Sequence, residues 1–367
     1  MKIAILGAGI AGLSTAWSLA RRGHDVTLIE QGPIPNPLAA SGDHHRIIRR
    51  AYGPASGYGR LITEAYEAWD ELWSDLDTSH YDPRGFICVS REPGDETDIY
   101  LEGMRAGGYQ HKVFSPAEAI KQWPFLDEHA IRYVLHSPEG GALHCRKIAV
   151  DTVRWLRDRG ADVRENTRVE AIECEAGRVR LADGQEITAD NIVVTAGAWV
   201  PKLFPKISGT LTTYRTGVVY LEPPADLMSA WEDAPVILDV GGKTDGYIIP
   251  PSGGAGLKFG SGRTKRPTDD ADADRVPLAG EGEALRDLFA GPIARIAEYR
   301  VHEFVTCAYT FTVDETFHCE VSGKALVVSA CSGHGYKFGA AVGRRVADAV
   351  ETRDLATLGR WLRAENA

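Results

Sequence analysis

MKIAILGAGIAGLSTAWSLARRGHDVTLIE, residues 1–30, reads as a short buried strand, a glycine turn, a helix and a second strand. Ile3 to Leu6 is an apolar run of strand length, and Gly7, Gly9 and Gly12 follow in the G-x-G-x-x-G spacing. Gly7 permits a tight turn, Gly9 lets a pyrophosphate approach the main chain, and Gly12 lets the helix pack close to the strand. The helix, from about Ile10 to Arg22, points its unpaired amides and positive dipole end at the phosphates. Gly23 ends it, Val26 to Ile29 forms the second strand, and Glu30 sits at its tip, where a carboxylate accepts from ribose hydroxyls. An acid at that place argues against a 2'-phosphate and so against NADP. The stretch therefore implies a bound dinucleotide and leaves FAD and NAD both open.

The rest of the 367-residue chain sets the bounds. Its length suggests two or three domains, or two interleaved ones, and 44% hydrophobic with 25% charged residues is ordinary for a soluble globular protein. A net charge of -10 argues against nucleic-acid partners and anionic membrane surfaces. Six cysteines without a C-x-x-C pair suit a reducing cytoplasm, and no spacing suggests a metal site. The apolar N-terminus is explained by the strand and helix rather than by a signal peptide, and no run reaches membrane-spanning length. The expectation is a cytoplasmic protein, monomeric rather than oligomeric.

Along the chain, a Pro- and Ala-rich loop from Gln31 to Ser41 precedes GDHHRIIRRAYG, Gly42 to Gly53. Ile47 and Ile48 among Arg46, Arg49 and Arg50 suggest a partly buried segment whose guanidiniums face something anionic. Tyr58 to Leu76 carries an apolar stripe at helical spacing, so its tryptophans are core. Residues 83–136 begin a second domain, with strands near Gly85 to Ser90 and Ile131 to His136 and a capped helix at Ser115, Pro116 and Glu118; no chemistry is visible there. A helix from Cys145 to Arg159, a hairpin to Leu181, and a buried strand from Asn191 to Thr195 lead to a second glycine turn, AGAW, Ala196 to Trp199. Tyr214 to Thr306 is strand-rich. The acidic TDDADAD, Thr268 to Asp274, lacks the EF-hand glycine and distal glutamate and reads as a solvated loop. Strands at Val301 to Thr310 and Ala325 to Ala330, the turn CSGHGYKF, and two helices complete the chain.

Several islands in order resemble the FAD-dependent amine and amino-acid oxidases typified by sarcosine oxidase, within the D-amino-acid-oxidase-like group. They are the N-terminal glycines with Glu30, RIIRRAYG (Arg46 to Gly53), TAGAW (Thr195 to Trp199), GLKFG (Gly256 to Gly260), CAYT with a following D-E (Cys307 to Glu315) and SGHGYKF (Ser332 to Phe338). The match is weakest over 77–143. The resemblance implies an α/β fold, a Rossmann-like FAD-binding domain interleaved with an α+β substrate domain on a mixed or antiparallel sheet. The FAD domain is expected at 1–80, 140–213 and 310–367, and the substrate domain at 81–139 and 214–309.

The resemblance also implies roles. Cys307 matches the cysteine bonded to the flavin 8α position; unaided, it reads as an inert core thiol. Lys258 matches the lysine under the flavin that helps oxygen accept electrons, a use for a cation among Leu257, Phe259 and glycines. Arg49 and Lys337 match the pair gripping a substrate carboxylate, and Arg46 the arginine against the flavin. Tyr247 and Tyr309 match pocket tyrosines. Gly7, Gly9, Ile10, Ala11, Gly12, Glu30, Val169, Gly197, Trp199, Gly333, Gly335, Tyr336 and Lys337 fall along the cofactor.

Two departures concern the substrate. Four residues past the lysine, sarcosine oxidases carry histidine and this chain carries Gly262; before RIIR, a threonine is replaced by His45. A bulkier secondary or cyclic amino acid fits better than sarcosine, and His44 and His45 read alternatively as loop histidines packed over the flavin. The expected reaction removes a hydride from the carbon beside the amine nitrogen, giving an imine and, with oxygen, hydrogen peroxide. The competing readings are a flavin dehydrogenase passing electrons to a quinone or carrier, and a non-catalytic dinucleotide-binding module.

Overall fold

The structure is a computed structural model describing residues 1–54 and 56–365. Positions 55, 366 and 367, inside the ranges expected for the FAD domain, lie outside the described residues. The apolar run Ile3 to Leu6, with Lys2 before it, forms the strand Lys2–Leu6 at the centre of a six-stranded sheet. It pairs in parallel with Asp25–Ile29 on one side and Asn191–Val194 on the other, flanked by Asp162–Arg164 and Ala325–Ser329. His318–Ser322, a strand the sequence reading had not picked out, closes one edge in antiparallel pairing. Strands buried on both faces need helices on them. The helix Ile10–Arg21 packs against Gly339–Thr352, where Gly343 leaves no room for a Cβ, which would lie 2.3 Å from the Ser14 backbone. Ser14 Oγ donates to Gly339 O at 2.6 Å across the same contact.

A nine-stranded mixed sheet forms the second layer. Its spine is the long antiparallel pair Thr212–Glu222 and Arg300–Phe311, and Leu257–Ser261, Gly246–Ile249 and Val236–Asp239 continue it. Val236–Asp239 lies parallel to Phe86–Ser90, which pairs antiparallel with Tyr133–Ser137. Its apolar face buries Trp231, Phe259, Phe289 and Tyr299. The capped helix appears as Pro116–Gln122, with the Ser115–Glu118 capping box formed.

The basic segment is a strand rather than a loop. His45–Arg49 pairs with Gly140–His144, which also pairs with Tyr81–Asp82. The strand is masked in the sequence by three cationic or imidazole side chains in five positions; folded, Arg46 and Arg49 face the cavity and His45 stacks on Tyr220. Among the described residues no helix is long and apolar enough to cross a membrane.

Candidate active site

A cavity of about 1140 Å³ opens at the C-terminal ends of the parallel strands. It exceeds the roughly 300–1,000 Å³ of a common small-ligand site, so it has room for a dinucleotide and a second molecule. One arm is lined by Gly7, Gly9, Ile10, Ala11 and Glu30, with Val169, Gly197 and Trp199 beside them. Gly7 has φ 101°, and a Cβ there would meet Thr195 O at 2.8 Å; a Cβ on Gly12 would lie 1.8 Å from Gly7 O. Both glycines are thus demanded by backbone approach. The residue before the helix, Gly9, supplies no side-chain cap; Ile10 N donates to Ser41 Oγ at 3.2 Å, and Gly9, Ile10, Ala11 and Ser41 all line the cavity. Glu30 Oε2 accepts from Ala8 N at 2.8 Å and Oε1 from Asn36 Nδ2 at 2.9 Å, which fixes the carboxylate at the strand tip. This cradle suits a pyrophosphate and a ribose.

The opposite arm is lined by Arg46, Arg49, Tyr247, Tyr309, Gly333, His334, Gly335, Tyr336 and Lys337. The guanidinium of Arg49 stands 4.1 Å from the Tyr52 ring centroid and 5.1 Å from that of Tyr100. Its Nε and Nη1 are buried without a hydrogen-bond partner among the described residues. Lys337 Nζ donates to His334 O at 3.0 Å, and burial together with Arg49 pushes its ammonium well below the usual lysine range. Trp69, read from sequence as core alone, also holds this lysine in place, its indole donating to Lys337 O at 2.8 Å. Tyr100 lies on Glu96–Ala106, in the region where sequence showed no chemistry. Only folding brings that helix over Arg49.

Behind the lining lies a buried ionic network centred on Asp43, which sequence reasoning passed over. Its carboxylate accepts from Lys258 Nζ at 2.8 Å, from Arg46 Nη1 and from Tyr220 Oη, and Lys258 donates also to His45 O at 2.7 Å. Strand register explains the convergence, because Tyr220 and Lys258 are direct cross-strand partners. Desolvation opposes ionisation of Asp43, yet Lys258 and Arg46 hold its carboxyl well below the usual range. The same burial lowers Lys258, partly offset by Asp43. The signal available in sequence was one acid, directly before a basic run. Arg46 links the network to the cavity, its Nη2 lying 3.2 Å from Tyr309 Oη.

Lys258, His45, Cys307 and Gly12 do not line the cavity itself. His45 is fully buried, its ring stacked on Tyr220 at 6.2 Å, its two ring nitrogens unpartnered among the described residues, and burial keeps it neutral. Cys307 is buried opposite Thr216, with Ala308, Tyr309 and Thr310 after it on the cavity wall. Burial pushes its thiol up while Arg46, Lys258 and Arg275 act in the other sense. The acidic loop is anchored rather than merely solvated: Asp272 accepts from Trp199 Nε1 at 2.9 Å and lines the cavity.

The family described as DAO, FAD-dependent oxidoreductase, matches residues 2–349. The chain belongs to this family. The family's members are flavoproteins, and FAD is accordingly the dinucleotide of the cradle. Among relatives of the FAD-dependent oxidoreductase, monomeric sarcosine oxidase of Bacillus sp. (strain B-0618) is 28% identical over 358 residues, covering 93% of this chain and 90% of its own. N-methyl-L-tryptophan oxidase of Yersinia pestis (strain Pestoides F) is 24% identical, covering 92% of each. Among solved structures, NikD, an amino acid oxidase of nikkomycin biosynthesis, superposes with TM-score 0.82 at 18% identity over 97% of this chain and 96% of its own. The fold is that of the FAD-dependent oxidases, and the chain is an oxidoreductase of the amino-acid and amine oxidase type.

Proposed function

We propose that the protein oxidises a secondary amino acid, N-methylated or cyclic, at the carbon beside its nitrogen, with oxygen as acceptor and an imine and hydrogen peroxide as products. The observation that carries this reading is the pairing of Arg49 with Lys337 in the cavity of the glycine cradle, with two guanidinium nitrogens unpartnered among the described residues. A buried cation without a counter-ion is costly, and a substrate carboxylate supplies acceptors for the arginine fork and the lysine point charge together. Its arrival also draws the Lys337 ammonium back toward its charged form. Tyr52 and Tyr100 hold the guanidinium between them by cation–π contact, which restricts where the carboxylate, and with it the reacting carbon, is placed.

FAD bound in the cradle would supply the two-electron redox chemistry. Gly7, Gly9, Ile10, Ala11 and Glu30 would hold its pyrophosphate and ribose, and Cys307 would supply the thioether link that the family resemblance implies. Lys258, ion-paired with Asp43, would place a cation where charge develops as oxygen is reduced. Residues 1–80, 140–213 and 310–367 serve as the FAD domain, with 81–139 and 214–309 closing over the substrate.

The test is anaerobic mixing of the holoenzyme with sarcosine, N-methyl-L-amino acids, L-proline and L-pipecolate. A secondary amino acid is expected to bleach the flavin band, and admitted oxygen to restore it with one peroxide per flavin. Bleaching by no amino acid sinks the reading; reoxidation by a quinone but not by oxygen turns it toward a dehydrogenase.

A further inference from the structure

The cavity that holds the two cations holds a carboxylate as well. Asp245 lines it, at the turn leading into Gly246–Ile249. The residue adopts φ 45°, ψ 50°, a left-handed conformation that Asp and Asn tolerate better than other side-chain-bearing residues. Its carboxylate takes part in no hydrogen bond or ion pair among the described residues, while its main-chain carbonyl accepts from Gly262 N at 2.9 Å. Gly262 is the position where the sequence pattern of sarcosine oxidases has an imidazole. A Cβ there would lie 1.9 Å from Asp245 Oδ2, so the carboxylate occupies the very space a side chain at 262 would need.

The surroundings leave that charge under-compensated. Partial desolvation by the surrounding cavity wall raises the Asp245 carboxyl above its ordinary range although the residue keeps contact with solvent; Glu315 and Glu96 push the same way, and Lys265 opposes them. Lys265 is itself shared with Glu315, at 3.6 Å. A cation delivered from the cavity would relieve this repulsion. The reacting nitrogen is a poor candidate for that cation, because a carboxylate beside it would hold it protonated and oppose hydride loss. Asp245 lines the cavity and yet remains solvent-exposed.

We infer that Asp245 is a specificity determinant that receives a cationic group on the substrate's side chain. The preferred substrate is then a secondary amino acid anchored by its carboxylate at Arg49 and Lys337 and by a distal ammonium or similar cation at Asp245. This rests on the carboxylate clamp proposed above and extends it to a second point of recognition. It also gives the absence of a side chain at Gly262 a reason: the acid replaces the imidazole and changes the sign of charge the site accepts.

The experiment uses unreactive matched pairs that differ only in a terminal ammonium: butyrate against 4-aminobutyrate, pentanoate against 5-aminopentanoate, and hexanoate against 6-aminohexanoate. Each is titrated into the holoenzyme and followed by perturbation of the flavin absorption spectrum. At one chain length the amino compound is expected to bind about tenfold tighter than its neutral partner, and Asp245→Asn to bring that ratio to about one. Asn accepts the left-handed conformation, and retention of the flavin band shows that the variant is folded. Equal binding within every pair in the wild-type protein overturns the inference, as does a preference that survives Asp245→Asn. If no carboxylate perturbs the flavin, the clamp itself fails and takes the inference with it, a result distinct from binding without preference.

Discussion

Asp43 is where a single side chain governs most of the site's electrostatics. It is buried and is the shared acceptor of Lys258, Arg46 and Tyr220. Breaking a buried pair by removing one partner costs about 3–5 kcal/mol, since the other charge is left uncompensated. Asp43→Asn is therefore expected to lower the thermal midpoint clearly at neutral pH. The folded-state pKa of this group is depressed, so its contribution is fully present above the unfolded carboxylate value near ~4 and fades as pH falls toward the folded one. The gap in midpoint between wild type and Asp43→Asn should thus be widest at neutral pH and close below about pH 4; a gap that is independent of pH would show that the carboxylate is not what stabilises. At the same scale, Lys258→Met is expected to slow flavin reoxidation by oxygen at least tenfold more than reduction by substrate in stopped-flow experiments. Equal losses in both half-reactions would remove the oxygen role from Lys258.

At the scale of elements, the glycine cradle depends on how closely helix meets strand and helix meets helix. Ile10–Arg21 is pressed on one side to the Gly7 turn and on the other to Gly339–Thr352. The Gly12 spacing announced the first approach; nothing local announced the second, since Gly343 reads simply as a poor helix residue three hundred positions away. A methyl at 343 has to push the two helices apart, an overpacking cost of typically 1–3 kcal/mol. Gly343→Ala should lower the midpoint accordingly and weaken FAD retention, whereas Gly94→Ala, in open space on a surface turn, should leave FAD content unchanged. Flavin-to-protein absorbance ratios after gel filtration measure both. The strand His45–Arg49 shows the opposite lesson: a run of cationic and imidazole side chains hides a strand, because the buried partners that make it tolerable lie on other elements.

At the scale of the molecule, the cavity is bounded by both large sheets, with Leu6, Ile29 and Val328 from one and Leu238, Tyr247 and Tyr309 from the other. Anything bound there joins them and adds stability by mass action. If Cys307 carries FAD covalently, the wild-type midpoint does not respond to added FAD, and acid-precipitated protein stays yellow. Cys307→Ser should bind FAD reversibly, its midpoint rising with FAD concentration by the equivalent of about 2.7 kcal/mol at a hundredfold excess over Kd. A colourless wild-type pellet with free FAD in the supernatant would exclude the link.

The sequence by itself determined the dinucleotide cradle and the family. The glycine spacing, the strand before it and Glu30 are constraints between near neighbours, and the later islands each keep their local chemistry. It also named Arg49 and Lys337 as a carboxylate-gripping pair, though only through the family resemblance and not from their own neighbours. What only the tertiary structure decided is how charges far apart in the chain neutralise or fail to neutralise one another. Asp43 is satisfied by Lys258 across 215 positions, Arg49 is stacked by a tyrosine from a helix that looked inert, and Asp245 fills the space left by Gly262. The physical reason is that the free energy of a charge depends on burial and on what else is within a few ångströms. Neither quantity exists until the chain has folded.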